Sequence, residues 1–274
     1  MPMAQVNGTN LHYELHGEGP NVVFVHGENH TLKLFNAQVA ALSSRYRCLT
    51  YDRRGHGRSE SPAFGYSLWN QTLDLGGLLD ALDLERVALV AVAMSTPIAV
   101  TYTARNQLRV AGLALASWYE LDGYPQLEVR RSASTPFPIL SVRMDEIRRT
   151  RGQAALEAYM QETARSEFPI LPDEPEQRSA LIRMFTDHPP DRYMHAAEFY
   201  TSLPYLIPEL RRVECPVLGI CGTADPSPDR PELLEEMPNF RQVWIEGARR
   251  FPTIERPAAF NEELERFLRE GGAD

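Results

Sequence analysis

Two rhythms of apolar and polar positions divide the chain. From Val6 to His16 short alternating segments flank Asn7-Gly8, a pair that suits a two-residue hairpin turn because both residues accept positive φ. Asn21 to Val25 and Arg47 to Tyr51 are short apolar runs that read as strands, and between them a helix is predicted after the loop Glu28 to Thr31, reaching about Ser44. Leucines recur at helical spacing from Leu73 to Leu84. Val87 to Val92 is unbroken and rich in small and β-branched residues, as a strand covered on both faces must be. It runs without a spacer into residues that start a helix, where Pro97 fits the first turn because no N–H is needed there. Arg109 to Ser117 is a further buried strand.

At Trp118 the strand rhythm stops. Helical spacing governs the chain to about Arg212, near Ile139–Thr150, Gln153–Arg165, Glu176–Phe185 and Asp191–Thr201, with proline-rich joints at Pro169 to Pro175 and Pro189-Pro190. Strands resume at Val217–Cys221 and Gln242–Glu246, and Arg256–Arg269 closes the chain as an amphipathic helix. This order predicts an α/β core with a mostly parallel sheet, residues 1–117 and 213–274, interrupted by a helical cap over 118–212.

Composition narrows the partners. A chain of 274 residues suits one large domain with an insertion, and a net charge of −9 argues against nucleic acid or an anionic membrane surface as partner. A small-molecule substrate is expected, and a homodimer is left open. No run approaches the ~18 apolar residues of a membrane span, and the first residues lack a basic start, so the expected location is cytoplasmic. Cys48, Cys215 and Cys221 sit in or beside apolar runs and read as buried free thiols. Lys33 is the single lysine, on a surface-like helix, which argues against Schiff-base chemistry.

The junction after Val92 carries the candidate chemistry. Ala91, Ala93 and Ser95 place small residues at alternate positions, the spacing of the Gly-x-Ser-x-Gly nucleophile elbow with alanine where serine would stand. Four further stretches fall in order with it: Val23-Phe-Val-His-Gly27, Tyr51-Asp-Arg-Arg-Gly-His-Gly-Arg-Ser59, Cys215 to Asp225, and Gly247-Ala-Arg-Arg-Phe followed by Glu255-Arg-Pro257. Over nearly its whole length the chain therefore resembles the α/β-hydrolase superfamily, most of all the small capped esterases, haloperoxidases and C–C hydrolases. The resemblance implies that fold, and a catalytic triad of which only the carboxylate, Asp225, persists, with Ala93 in place of serine and Arg250 in place of histidine. It also implies an oxyanion hole built from the backbone N–H groups of Glu28 and Met94, which need no particular side chain.

In such a sheet the residues just past the carboxyl ends of the strands line one crevice. Ala93, Trp118, Tyr119 and His195 are the expected substrate-lining residues, and Glu28, His30, Met94, Asp225 and Arg250 the expected catalytic ones. None of the seven histidines follows the seventh strand, so ordinary Ser-His hydrolysis is not expected. Ser95 is the alternative nucleophile, but a shifted register would leave it without a base. Arg250 has two compatible readings, a buried ion pair with Asp225 or a fork for an anionic substrate group. Glu28, His30, Tyr119 and His195 are candidates to move protons, each with a structural alternative: a solvated loop for Glu28 and His30, cap packing for Tyr119, a helix surface for His195. His26, Glu28 and His30 also spell His-x-Glu-x-His, but the resemblance makes His26 part of a structural turn, so no metal is expected, nor any cofactor. The loop Asp52 to Ser59 is expected to brace the sheet. Three functions stay in view: a non-hydrolytic enzyme such as a lyase, isomerase, decarboxylase or cyclase; a ligand-binding or sensor protein; and a hydrolase in which a carboxylate activates water.

Overall fold

Val6 pairs with Thr9 across the turn Asn7-Gly8, whose φ angles of 44° and 73° are those the hairpin requires. The hairpin joins β1 (Met3–Val6) to β2 (Thr9–His16) and leads into β3 (Asn21–Val25) and β4 (Arg47–Tyr51). The computed structural model describes residues 2–118, 121, 137–168, 170–188, 192–225 and 237–273. Within these the remaining strands are β5 (Val87–Val92), β6 (Val110–Ala116), β7 (Val217–Gly222) and β8 (Phe240–Ile245). They form one eight-stranded sheet in the order β1-β2-β4-β3-β5-β6-β7-β8. Pairing is antiparallel from β1 to β4 through β2 and parallel from there to β8.

Alternate residues of the central strands feed two separate cores. Val23, Val25, Leu89, Ala91, Leu113 and Leu115 pack on one face, and Val22, Phe24, Val90, Val92, Ala114 and Ile220 on the other. Each strand is thus apolar at every position because both faces are covered, which is why these runs lack polar alternation.

α1 (Asn36–Leu42) follows a short 3-10 turn at Leu32–Phe35, and α2 (Leu68–Ala81) precedes β5. Ser67 caps α2 by accepting the Asn70 N–H, and the helix stops short of Leu84 because Asp83 adopts φ 52°. The leucine spacing overran the helix end because Leu84, just past the turn, is buried like Leu78 and Leu79 within the helix. α3 (Thr96–Arg105) starts with Pro97 in its first turn. Between β6 and β7 the chain forms α4 (Phe137–Arg151), α5 (Gln153–Glu162), α6 (Pro175–Thr186), α7 (Arg192–Thr201) and α8 (Ile207–Leu210). Residues of α4, α5 and α6 join the core that holds Ala93 and Phe251, whereas Phe199 and Tyr200 of α7 join the opposite one. α9 (Pro252–Glu255) and α10 (Pro257–Phe267) complete the fold. Among the described residues no helix is long and apolar enough to cross a membrane.

Candidate active site

Strand order reverses about β3: the chain turns from β3 to β4 on one side and returns to β5 on the other. Such a switch opens a crevice at the carboxyl edge. Val25 lies opposite both Tyr51 and Ala91, so the segments following β3, β4 and β5 emerge side by side. Glu28, Arg53 and Ala93 are consequently neighbours in space although far apart in sequence.

Ala93 holds φ at 50°, a left-handed conformation that a side-chain-bearing residue adopts at a cost of about 1 to 2 kcal/mol. The turn behind it is crowded. A Cβ on Gly27 would meet the Val92 carbonyl at 2.9 Å, His30 Nδ1 at 3.2 Å and Ala93 Cβ at 3.3 Å, which fixes glycine there and shows that His30 and Ala93 face a common point. Ser95 is excluded as a substitute nucleophile. Its hydroxyl donates to Val25 O at 2.6 Å and accepts the Val92 N–H at 2.9 Å, so it ties β3 to β5 from a fully buried position.

Arg250 and Asp225 form a buried ion pair, Nε to Oδ2 3.0 Å. Arg250 Nη1 also donates to the Ser117 carbonyl at 2.5 Å, at the end of β6 where Ser117 takes φ 50°. One guanidinium therefore links the ends of β6 and β7.

Glu28 and His30 are buried rather than solvated, and Glu28 has a partner that sequence reasoning passed over. Arg53 reaches from the end of β4 to place Nη2 2.5 Å from Glu28 Oε2 and 3.3 Å from His56 Nε2. The Arg53 N–H donates to His26 Nε2 at 3.0 Å, and His26 Nδ1 donates to the Gly27 carbonyl at 2.8 Å. The loop expected only to brace the sheet thus also supplies a charge to the crevice. Its signal was Arg53, a second charge beside Arg54, which alone braces the loop against Asp74.

Imidazoles gather around this pair. The rings of His26 and His56 lie 4.8 Å apart, and those of His56 and His188 5.4 Å apart. His30 stands edge-on to Phe185 at 4.8 Å and Phe251 at 5.0 Å, and neither ring nitrogen makes an aligned hydrogen bond among the described residues. Burial, with His188 adding to it and the Gly27 carbonyl opposing it, lowers the His30 pKa to about 3, so the ring is neutral at physiological pH. Burial likewise lowers His188 to about 4 and holds His26 and His56 well below the usual histidine range.

The other expected residues part company with this cluster. Trp118 is fully buried in the core shared with α7, and among the described residues its indole N–H has no hydrogen-bond partner. His195 stacks on Tyr66 with centroids 3.9 Å apart and planes 4° apart. The Met94 side chain is core. Tyr119 lies outside the described residues. His26, Glu28 and His30 do not converge as one ligand set: His26 bonds backbone, Glu28 meets Arg53, and His30 sits between phenylalanines. Cys48 and Cys221 are buried and Cys215 is half-buried.

A model described as "Alpha/beta hydrolase family" matches residues 22–263. A haloalkane dehalogenase of Mesorhizobium japonicum is 30% identical over 139 residues, 48% of this chain and 45% of that protein. A cis-3-alkyl-4-alkyloxetan-2-one decarboxylase of Shewanella oneidensis is 34% identical over 113 residues, 40% of this chain and 36% of that protein. The chain thus spans less than half the length of these curated relatives. The solved enol-lactonase of Burkholderia xenovorans LB400 superposes with a TM-score of 0.78 at 28% identity, covering 98% of this chain and 100% of that one.

Proposed function

The chain belongs to the alpha/beta hydrolase family, and on that premise we propose that it is an enzyme working outside serine-dependent hydrolysis, on a small, partly apolar, anionic metabolite. The observation that carries this reading is Ala93: it keeps the strained φ of 50° while bearing a methyl group, which cannot attack. Where the triad's imidazole would stand, Arg250 is engaged with Asp225 and Ser117. Neither Ala93 nor Arg250 can act as nucleophile or base, yet polar groups still converge on the crevice.

Such a set of parts suits an enolate or similar oxyanion better than an acyl-enzyme. The Glu28 and Met94 amides would donate to the oxyanion from the adjacent ends of β3 and β5. His30, neutral because it is buried, would polarise a carbonyl through its N–H, as a neutral imidazole can. Glu28 would carry the proton between carbon and oxygen, and residues 118–212 would serve as the cap that excludes water. Decarboxylation, isomerisation, C–C lysis and cyclisation all pass through an intermediate of this type. That one relative is named a decarboxylase adds support at the level of the family alone.

The test is product analysis in H₂¹⁸O with a panel of aromatic and aliphatic β-keto acids beside activated esters. Conversion of a keto acid without ¹⁸O in the product supports the reading. Ester hydrolysis with ¹⁸O incorporation overturns it in favour of a water-activating hydrolase, and binding without any conversion overturns it in favour of a ligand-binding protein.

A further inference from the structure

α2 and α3 wall a groove of about 600 Å³ that shares no residue with the crevice at the strand ends. Two large apolar side chains are left open in it. Trp69 is 41% exposed and Leu73 59%, and their spacing of four residues sets both on one face of α2. The α3 wall contributes Tyr102, only 3% exposed, whose ring comes so near α2 that a Cβ on Gly76 would lie 3.2 Å from its Cε2.

Most polar side chains of the groove are already engaged. Asp80 and Arg109 pair at 2.6 Å, Asn7 donates to Asp74 at 2.9 Å, and Asn106 donates to the Tyr102 carbonyl at 2.8 Å. The Tyr102 hydroxyl differs, having no hydrogen-bond partner among the described residues. Burial pushes its pKa up, so it keeps its proton and can donate it. Arg105, three residues further along α3, lies over the Trp69 ring at 4.5 Å from the centroid and makes no ion pair among the described residues. A buried hydroxyl left unmade is costly, so this one asks for an acceptor, and the exposed indole and leucine offer that acceptor an apolar surface to rest on.

Charge narrows what the ligand can be. The pair Asp80 and Arg109 is neutral as a unit, so Arg105 leaves the groove with an uncompensated positive charge. An ammonium head would be repelled by Arg105 and could not accept the Tyr102 proton, whereas a purely apolar ligand would bury the hydroxyl unmade. An anionic oxygen meets both demands, accepting from Tyr102 and attracted by Arg105 from the neighbouring turn of the helix. We infer that this groove is a second ligand site, for a small amphipathic anion whose apolar body lies on Trp69 and Leu73 and whose oxygen accepts the Tyr102 hydroxyl, with Arg105 setting the preference for negative charge. The inference goes beyond the reaction proposed above and does not depend on it.

The experiment is titration of the full chain with octanoate, 1-octanol and octylammonium, read by calorimetry and by the indole N–H signals of Trp69, Trp118 and Trp244 in ¹H–¹⁵N NMR spectra. Octanoate is expected to move the Trp69 signal, to leave that of Trp118 at the end of β6 in place, and to bind at least about tenfold tighter than octylammonium. Tyr102→Phe is expected to weaken octanoate about tenfold while leaving the urea midpoint unchanged or raised, because the hydroxyl makes no bond in the free protein; a merely structural tyrosine would move the midpoint and not the affinity. Arg105→Glu, at an exposed position, is expected to abolish the advantage of acid over amine, and it decides the matter should Tyr102→Phe fold poorly. No binding of octanoate, a shift at Trp118 in place of Trp69, equal affinity for acid, alcohol and amine, or octanoate affinity unchanged in a well-folded Tyr102→Phe would each overturn the inference. Failure of every keto acid to react would sink the proposed enzyme and leave this site standing.

Discussion

Asp225 and Arg250, at the ends of β7 and β8, hold each other at 3.0 Å with both side chains almost wholly buried. Removing one member leaves a buried charge without its counterpart, which costs far more than the pair contributes. Arg250→Ala is expected to lower the unfolding free energy by about 3 to 5 kcal/mol, whereas Asp225→Leu with Arg250→Met, apolar residues of similar bulk, recovers most of the loss. Urea denaturation of the three variants checks this. A single mutant within 1 kcal/mol of wild type would show that the pair is not buried in solution.

The strain at Ala93 makes a prediction of opposite sign. Glycine tolerates φ near 50° without a Cβ clash, so Ala93→Gly should stabilise the fold by about 1 kcal/mol less its added chain entropy, a net gain of a few tenths. Ala93→Ser should show no burst or turnover with p-nitrophenyl acetate, because Arg250 cannot accept a proton. Joined to Arg250→His, which places an imidazole beside Asp225, the same serine should give measurable acyl transfer. Activity of the single Ala93→Ser variant would refute this account of the site.

How much of this was legible beforehand follows from what each signal encodes. The strands were legible because burial on both faces leaves no polar position in Val87–Val92 or Val217–Gly222. Helix ends were less so: Leu84 continues the leucine spacing although Asp83 has already broken the helix. Within the site, Ala93, Asp225 and Arg250 could be found because they occupy positions next to recognisable strands. Arg53 and the imidazoles of His56 and His188 could not, since their convergence depends on the non-local pairing of β3 with β4 and on a loop after α6. A sequence window shows charges there and gives no hint that they are buried.

Ser95 supplies a prediction that separates structure from chemistry. Its hydroxyl serves the Val25 carbonyl and the Val92 N–H, both inside the sheet. Ser95→Ala should lower stability by about 1 to 3 kcal/mol through those unmade bonds and leave ligand binding per folded molecule unchanged. Loss of binding in a variant that still folds would reopen the question of Ser95 as a participant.

Acid should unfold this protein early, and the direction follows from the imidazoles. His26, His30, His56 and His188 are held below the ordinary histidine value of about 6.5, chiefly by burial. Above that value they are neutral in the folded and unfolded chain alike and contribute no pH dependence. As pH falls below it, the unfolded chain takes up protons that the folded chain refuses until about 4 at His188 and about 3 at His30. Each such ring then removes up to about 1.4 kcal/mol of stability per pH unit. Asp74 and Glu255, raised mainly by burial, act with the opposite sign, because the folded chain protonates them first, but they are outnumbered. The urea midpoint should therefore drop steeply between pH 6.5 and pH 5. His30→Phe, which keeps an aromatic ring against Phe185 and Phe251, should flatten that slope by one imidazole's share. A midpoint that stays level from pH 7 to pH 5 would mean that these rings are not held neutral, and the assignment of His30 as a neutral hydrogen-bond donor would fall with it.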